Sequence, residues 1–197
     1  MEEEKELTGP ESLELIARMI NKAKDDYHDT GVSVLFWGSV ISFCSLVTFF
    51  NAWLRWDWLD YIWFLTFIAV IPQVLISIRE SKTRRHKAYD ADMIGGLWIS
   101  FAIVMFLLSY FVNVYDIPKA NSLFIIIYGI PTFASGYARR FKPMIIGAIA
   151  CWVLAIVSAR LAMPYGMLCT AAAAQLAWFI PGLILRRRYL KAKQQHV

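Results

Sequence analysis

The sequence predicts an all-α membrane protein with six transmembrane helices, and three observations support this fold class. Of the 197 residues, 58% are hydrophobic and only 18% are charged, a balance more apolar than that of a soluble domain. The apolar residues form runs of about 20, the length that an α-helix needs to cross a bilayer. The charged residues lie mainly between these runs, where they stay in water. The lipid bilayer is therefore the first expected partner of the chain.

The apolar runs divide the chain into three regions. We expect an acidic N-terminal region over residues 1–30, a transmembrane domain over residues 31–185 and a basic cytoplasmic tail over residues 186–197. The six predicted spans cover residues 31–54, 58–78, 94–114, 122–138, 143–161 and 166–185.

The basic residues predict the orientation of these spans. Seventeen of the twenty Lys and Arg residues fall in the N-terminal region, in the second and fourth connections or in the tail. Only Arg55, Lys119 and Arg160 fall on the other side. Because Lys and Arg collect on cytoplasmic loops, both chain termini of this multi-pass protein are predicted to lie in the cytoplasm.

Residues 10–28 predict an amphipathic helix that precedes the spans and is too charged to cross a membrane. Residues 1–29 carry nine acids and four bases, a net charge of −5, which disfavours adhesion to anionic lipid headgroups. We therefore expect protein to cover the apolar stripe of this helix: the chain's own cytoplasmic face, a second copy in a homo-oligomer, or a cytosolic partner. The predicted contact residues are Leu13, Ile16, Ile20, Ala23 and Tyr27.

A proline near the end of each even-numbered span suggests that the chain consists of three helical hairpins. The prolines are Pro72, Pro131 and Pro181, and the tryptophans that correspond in the odd-numbered spans are Trp37, Trp98 and Trp152. Each proline removes a backbone donor and tends to kink its helix. Two interpretations are open: Gln73 and Gln175 hydrogen-bond neighbouring helices in a purely structural role, or the kinked helices and these glutamines line a pathway for a solute.

No residue pattern predicts catalysis, a metal site or a cofactor site. The three histidines fall outside the spans and no carboxylate falls near the centre of a span, so the acid–base groups of a membrane enzyme are missing. Cys44, Cys151 and Cys169 lie far apart without a CxxC pair, so packing is their predicted role. The sequence has no phosphate loop, and membrane orientation explains the net charge of +5, so direct nucleic-acid binding is not expected.

Aromatic side chains crowd the first outer turn of the chain. They are Trp53, Trp56, Trp58, Tyr61 and Trp63. Amphipathic rings favour the level of the lipid headgroups, so we interpret them as an interfacial belt in preference to a cage for a quaternary ammonium ligand.

The N-terminal region and the start of the first span resemble a known group of sequences. Residues 11–16, residues 19–24 and the tripeptide Phe36-Trp37-Gly38 are similar to uncharacterised small bacterial membrane proteins, over about the first 40 residues. The resemblance implies an acidic N-terminal helix followed by several spans and a location in the bacterial inner (plasma) membrane. It also implies a regulatory partner, since members of the group are encoded beside winged-helix regulators. It implies no catalytic activity.

Two functions from different classes fit these features. The first is a non-enzymatic regulatory or scaffold protein that contacts itself or a cytosolic partner through its N-terminal helix. The alternative is a small transporter or channel for a neutral or cationic solute, lined by the proline-kinked even-numbered helices. We favour the first function because no charged residue near the centre of a span marks a route for a solute.

Overall fold

The computed structural model describes residues 30–54, 56–83 and 89–195, and every regular element in these ranges is helical. In chain order the elements are α1 (Val32–Leu54), a 3-10 helix (Asp57–Trp63), α2 (Phe64–Thr83), α3 (Tyr89–Tyr115), α4 (Ala120–Ala138), α5 (Lys142–Arg160), α6 (Met163–Ala174), a π-helical segment (Gln175–Phe179) and α7 (Ile180–Gln195). The last three elements follow one another directly, so the predicted basic tail is helical as far as Gln195. The predicted N-terminal helix and its contact residues lie outside the described residues.

Among the described residues, five helices are long and apolar enough to cross a membrane, as expected for an all-helical membrane protein. These candidate spans are Val32–Leu54, Tyr61–Glu80, Met93–Tyr115, Lys142–Arg160 and Met163–Ala192. The helix α4 is not among them, because polar residues such as Asn121, Tyr128 and Thr132 lower its mean hydropathy. The six-span count is therefore not confirmed by length and composition alone.

The helix α4 packs antiparallel against α5 along its whole length. At one end of the pair, a Cβ added to Gly136 would lie 2.9 Å from Cβ of Met144. At the other end, Lys119 Nζ donates a hydrogen bond to the carbonyl of Leu161. Small and hydroxyl-bearing residues dominate the buried face of α4, which lets the helix backbones approach closely. The buried residues are Ser122, Ile125, Tyr128, Gly129, Pro131, Thr132, Ser135 and Gly136.

The helix α1 packs antiparallel against the last three elements. A Cβ added to Gly38 would lie 2.7 Å from the backbone nitrogen of Phe179, and at the far end the rings of Phe49 and Tyr165 lie 6.0 Å apart. The core lies where α1, α4, α5, α6 and the π-helical segment meet. It contains Ile41, Ile125, Tyr128, Cys151, Ala155, Cys169, Ala173, Ala174, Ala177 and Trp178.

The helices α2 and α3 lie outside this core. Gln73 Nε2 of α2 donates to Ser33 Oγ of α1 at 3.1 Å, and Trp98 Nε1 of α3 donates to Ser135 Oγ of α4 at 3.1 Å. Most of the large apolar side chains on α2 and α3 are exposed. Surfaces this apolar are stable when lipid or protein covers them.

The two ends of the bundle differ in composition. At one end, which we call the basic end, Gly31 lies against the backbone of Arg186, and the Arg188 guanidinium lies 5.2 Å from the centroid of the Phe141 ring. The described bases at or near this end are Arg79, Lys82, Arg139, Arg140, Lys142, Arg186, Arg187, Arg188, Lys191 and Lys193. At the opposite end, which we call the aromatic end, the described bases are Lys119 and Arg160.

The packing does not confirm the arrangement as three hairpins. The most extensive contact joins α4 to α5, which belong to different predicted hairpins. The three tryptophans also differ in their surroundings: Trp98 donates to a serine hydroxyl, Trp152 donates to the carbonyl of Ile126 at 3.2 Å, and Trp37 packs edge-on against Phe36. Common descent of the hairpins stays a hypothesis.

Candidate functional site

The three prolines occupy two different environments. Pro131 in α4 and Pro181 in α7 are fully buried, whereas Pro72 is half-buried in the outer helix α2. Within the described residues, α2 packs against α1 and the 3-10 helix and does not reach α4 or α7. The proline-bearing helices therefore do not share one lining surface.

A π-helical turn precedes Pro181 in the last helix. The N–H of Ile180 donates to the carbonyl of Gln175, five residues earlier, so the turn holds one more residue than an α-helical turn. Gln175 Nε2 donates to Ser42 Oγ at 2.9 Å, and Ser42 Oγ donates to the carbonyl of Ala171 at 3.4 Å. Gln175 thus joins the first and last described helices through a polar contact within the bundle.

Gln73 makes the corresponding contact for α2. Its Nε2 lies 3.1 Å from Ser33 Oγ on α1 and 3.1 Å from Ser77 Oγ on its own helix. Its buried Oε1 has no hydrogen-bond partner among the described residues. Gln73 therefore connects the outer helix α2 to α1 near the basic end.

Four aromatic rings pack together where α3 lies against the core. The ring centroid of Trp178 lies 4.7 Å from that of Tyr128, 6.1 Å from that of Phe101 and 6.2 Å from that of Trp98. These separations are typical of aromatic pairs that pack directly on one another. We call Trp98, Phe101, Tyr128 and Trp178 the aromatic cluster, and its geometry is that of a packed core.

Two hydroxyl groups of α4 accept hydrogen bonds from the indoles of this cluster. Trp178 Nε1 donates to Thr132 Oγ1 at 2.8 Å, and Trp98 Nε1 donates to Ser135 Oγ at 3.1 Å. Thr132 Oγ1 also donates to the carbonyl of Tyr128 at 2.7 Å. Both indole N–H groups are thereby satisfied in an interior that offers no water.

The aromatic residues of the first outer turn diverge in their surroundings. Trp53, Trp56 and Tyr61 are each more than half exposed at the aromatic end. Trp63 is half-buried, and its Nε1 donates to Thr48 Oγ1 at 3.0 Å. This arrangement is typical of an interfacial belt, since a cage for a cation needs rings that face a common point.

The three cysteines are buried free thiols. Cys44 Sγ lies 3.7 Å from the carbonyl of Ile62, and Cys151 Sγ lies 3.8 Å from the carbonyl of Ala173, both at the distance of weak hydrogen bonds. In the part of the chain that the structure describes, no three His, Cys, Asp or Glu side chains come together in a way that could hold a metal ion.

The chain enters α1 in close contact with the last helix. Gly31 has φ +69, and a Cβ added there would lie 2.7 Å from the carbonyl oxygen of Gly182 and 3.0 Å from the nitrogen of Arg186. Glycine suits this position because L side chains rarely adopt such a φ and no space is left for one. Thr30 Oγ1 donates to the carboxylate of Glu80 near the end of α2. The described chain therefore begins at the basic end, beside α2 and α7.

No role was assigned to Trp178 or to Ser135 from the sequence. One signal was present: Tyr128, Thr132 and Ser135 recur at helical spacing, as a polar stripe within an otherwise apolar helix. Such a stripe predicts a face that turns away from lipid. The partner of the stripe was not predictable, because Trp178 lies 46 residues from Thr132 in the chain.

No family model, no curated protein and no solved structure matches the chain.

Proposed function

We propose that the chain is a non-enzymatic regulatory or scaffold protein of the bacterial inner membrane, and that its basic end binds an amphipathic helix. The observation that carries this proposal is the position of Thr30 and Gly31 between α2 and α7. The acidic N-terminal region ends at Thr30, and the next residue, Gly31, lies against the backbone of Arg186 in α7. Its own helix is therefore the nearest candidate for the docked segment.

Charge and length both favour this docking. Residues 1–29 carry a net charge of −5, whereas ten described bases lie at or near the basic end. Opposite charges steer association and fix orientation, while the apolar stripe at Leu13, Ile16 and Ile20 supplies the buried contact. A helix over residues 10–28 would be about 28 Å long, enough to extend across several helix ends.

We further propose that the chain crosses the membrane six times. The additional crossing is α4, whose mean hydropathy is too low for it to be recognised as a candidate span. Its antiparallel contact with α5 extends over the full length of a candidate span, from Gly136 and Met144 to Lys119 and Leu161. Four polar residues of α4, Ser122, Tyr128, Thr132 and Ser135, are buried, so they do not oppose a position inside the membrane. Six crossings put all the bases of the basic end on one side, which the positive-inside rule assigns to the cytoplasm.

The transporter alternative receives less support from this geometry. Gln73 and Gln175 each donate to a serine on a neighbouring helix, and the rings of Tyr128 and Trp178 are packed in the core. A solute pathway instead requires polar groups that face a shared cavity.

Amide exchange in the purified protein tests the docking proposal. Ile16→Glu with Ile20→Glu removes the stripe and adds two negative charges. The matched control, Arg18→Gln with Lys22→Gln, changes the net charge by the same amount and keeps the stripe. We expect the first variant to exchange faster over residues 10–28 and to be cut faster after Lys24, while the control stays closer to the wild type.

Three other outcomes are informative. Equal release in both variants would contradict a docked stripe, because both changes make the segment more acidic and should strengthen its attraction to the basic end. If the segment is protected from exchange only in native membranes, self-docking is wrong, and a partner that is lost during purification covers the segment instead. An unprotected wild-type segment in both preparations would overturn the proposal.

A further inference from the structure

A cleft opens between α4 and α5 at the aromatic end of the bundle, far from the proposed docking surface. Its volume is about 620 Å³. Its lining combines two bases, one hydroxyl group and a set of apolar walls. The residues that matter for the argument are Lys119, Ser122, Ile126, Trp152, Ile156 and Arg160.

Both described bases of the aromatic end line this one cleft. Lys119 precedes α4, and Arg160 lies in the last turn of α5. No Asp or Glu lines the cleft. Lys119 Nζ donates to the carbonyl of Leu161, which holds the ammonium group at the end of α5 and leaves two of its three donors for other acceptors. An anion at this position gains from both cations.

Ser122 gives an independent sign of a ligand. Its side chain is only 7% exposed, it lines the cleft, and its Oγ has no hydrogen-bond partner among the described residues. A buried hydroxyl without a partner is costly, so such groups are rare unless a water or ligand satisfies them. Ser122 also lies in the first turn of α4, where the helix dipole favours negative charge.

The lining changes from charged to apolar along both helices. On α4 the order is Lys119, Ser122, Ile126, and on α5 it is Arg160, Ile156, Trp152, so each helix carries its charge at the rim and its apolar residues toward the middle of the bundle. Trp152 is held in place because its Nε1 donates to the carbonyl of Ile126 at 3.2 Å. A membrane lipid has the same order, with its headgroup at the interface and its chains inside.

We propose that this cleft binds a phospholipid with a net negative headgroup. The phosphate lies between Lys119 and Arg160 and accepts a hydrogen bond from Ser122 Oγ, and one acyl chain packs against Ile126, Trp152 and Ile156. The site lies in the leaflet at the aromatic end, at the level where headgroups meet the exposed tryptophans. It is independent of the function proposed for the basic end.

Thermal unfolding of the delipidated protein in detergent tests this site. The protein is titrated with phosphatidylglycerol, with phosphatidylcholine that carries the same acyl chains, or with inorganic phosphate. A lipid that binds only the folded state raises Tm in proportion to its affinity. We expect phosphatidylglycerol to raise Tm more than phosphatidylcholine, and inorganic phosphate to have no effect at the same concentration.

Four variants locate the site. Arg160→Gln should weaken phosphatidylglycerol binding by about tenfold, since a charge-assisted contact is lost. Ala159→Phe should abolish binding by filling the cleft. Ser122→Ala should weaken binding several-fold while the lipid-free protein stays at least as stable, because a buried unpartnered hydroxyl is removed. The matched control Arg187→Gln removes one charge at the basic end and should leave binding unchanged.

The proposal fails if phosphatidylcholine binds as tightly as phosphatidylglycerol, or if inorganic phosphate alone reproduces the shift. It also fails if Arg187→Gln weakens binding as much as Arg160→Gln, since the effect would then be a general attraction to charge. If Arg160→Gln does not fold, Arg160→Lys provides the comparison, and retained phosphatidylglycerol binding in that variant supports the site. Loss of binding in a folded Ala159→Ile variant also supports it.

Discussion

Trp178 Nε1 donates a hydrogen bond to Thr132 Oγ1 over 2.8 Å, and the same hydroxyl donates to the carbonyl of Tyr128 over 2.7 Å. The pair joins the π-helical segment of the last helix to α4. Trp178 is only 3% exposed. Its indole N–H can only donate a hydrogen bond, so in this buried position it needs an acceptor. The polar face of α4 therefore packs toward the core, where its hydroxyl oxygens accept hydrogen bonds from the indole N–H groups.

Thr132→Val should lower the free energy of unfolding by about 1–2 kcal/mol, because it leaves a buried indole N–H without an acceptor while nearly conserving volume. Unfolding in mixed micelles measures this. The matched control is Ser109→Ala on α3, whose hydroxyl is exposed and bonds only to the carbonyl of Met105 in its own helix. It should change stability by less than about 0.5 kcal/mol. Equal effects of the two variants would contradict a structural role for the Trp178 contact.

Two glycines make a second comparison. A Cβ added to Gly38 would lie 2.7 Å from the nitrogen of Phe179, so Gly38→Ala must push α1 away from the last helix and should cost about 2 kcal/mol or more. A Cβ added to Gly96 on α3 would meet nothing within 4 Å. Gly96→Ala should therefore leave stability unchanged or raise it by up to about 1 kcal/mol. A Gly38→Ala protein as stable as the wild type would mean that α1 does not pack as described.

The prolines should respond to replacement according to their burial. Pro131 is fully buried, so Pro131→Ala loses packed ring atoms, at about 0.8 kcal/mol per methylene plus the cost of a cavity. The restored backbone hydrogen bond returns only about 1 kcal/mol. Pro72 is half-buried on an outer helix, so Pro72→Ala should be neutral or stabilising. Pro131→Ala should therefore lower the free energy of unfolding more than Pro72→Ala does. Measured free energies of unfolding in the reverse order would contradict this expectation.

Reporter fusions test the topology. Fusions after Lys82 and after Val197 should report the cytoplasm, and a fusion after Lys119 should report the outside, because the bases of the basic end are expected to stay inside. The fusion after Lys142 decides whether α4 crosses, since it should also report the cytoplasm. An external signal there, or an external C-terminus, would rule out six crossings.

Three of the described helices could be predicted from the sequence with small errors. The predicted spans over residues 31–54, 122–138 and 143–161 differ by at most two residues at either end from Val32–Leu54, Ala120–Ala138 and Lys142–Arg160. Connections with charged residues mark these ends clearly, because charges leave the hydrocarbon core. The predicted span over residues 58–78 begins in a 3-10 helix, which hydropathy does not distinguish from an α-helix.

The candidate sites were less predictable. Lys119 and Arg160 were recognised as outer bases, yet nothing local indicated that they line the same cleft. Gln175 was expected to contact a neighbouring helix, but its partner Ser42 lies 133 residues away. The π-helical turn that carries Gln175 has no separate sequence signal besides the proline that follows it.

The sequence by itself determined the helices, their apolar lengths and the unequal charge of the two ends, because each of these depends on how a short segment partitions between water and lipid. Only the tertiary structure decided which helices touch: α1 with the last helix, α4 with α5, and Thr132 with Trp178. The physical reason is that lipid tails are as apolar as the helix surfaces, so hydrophobicity does not select neighbours within a membrane. Close approach at small residues and hydrogen bonds between distant polar side chains select them instead.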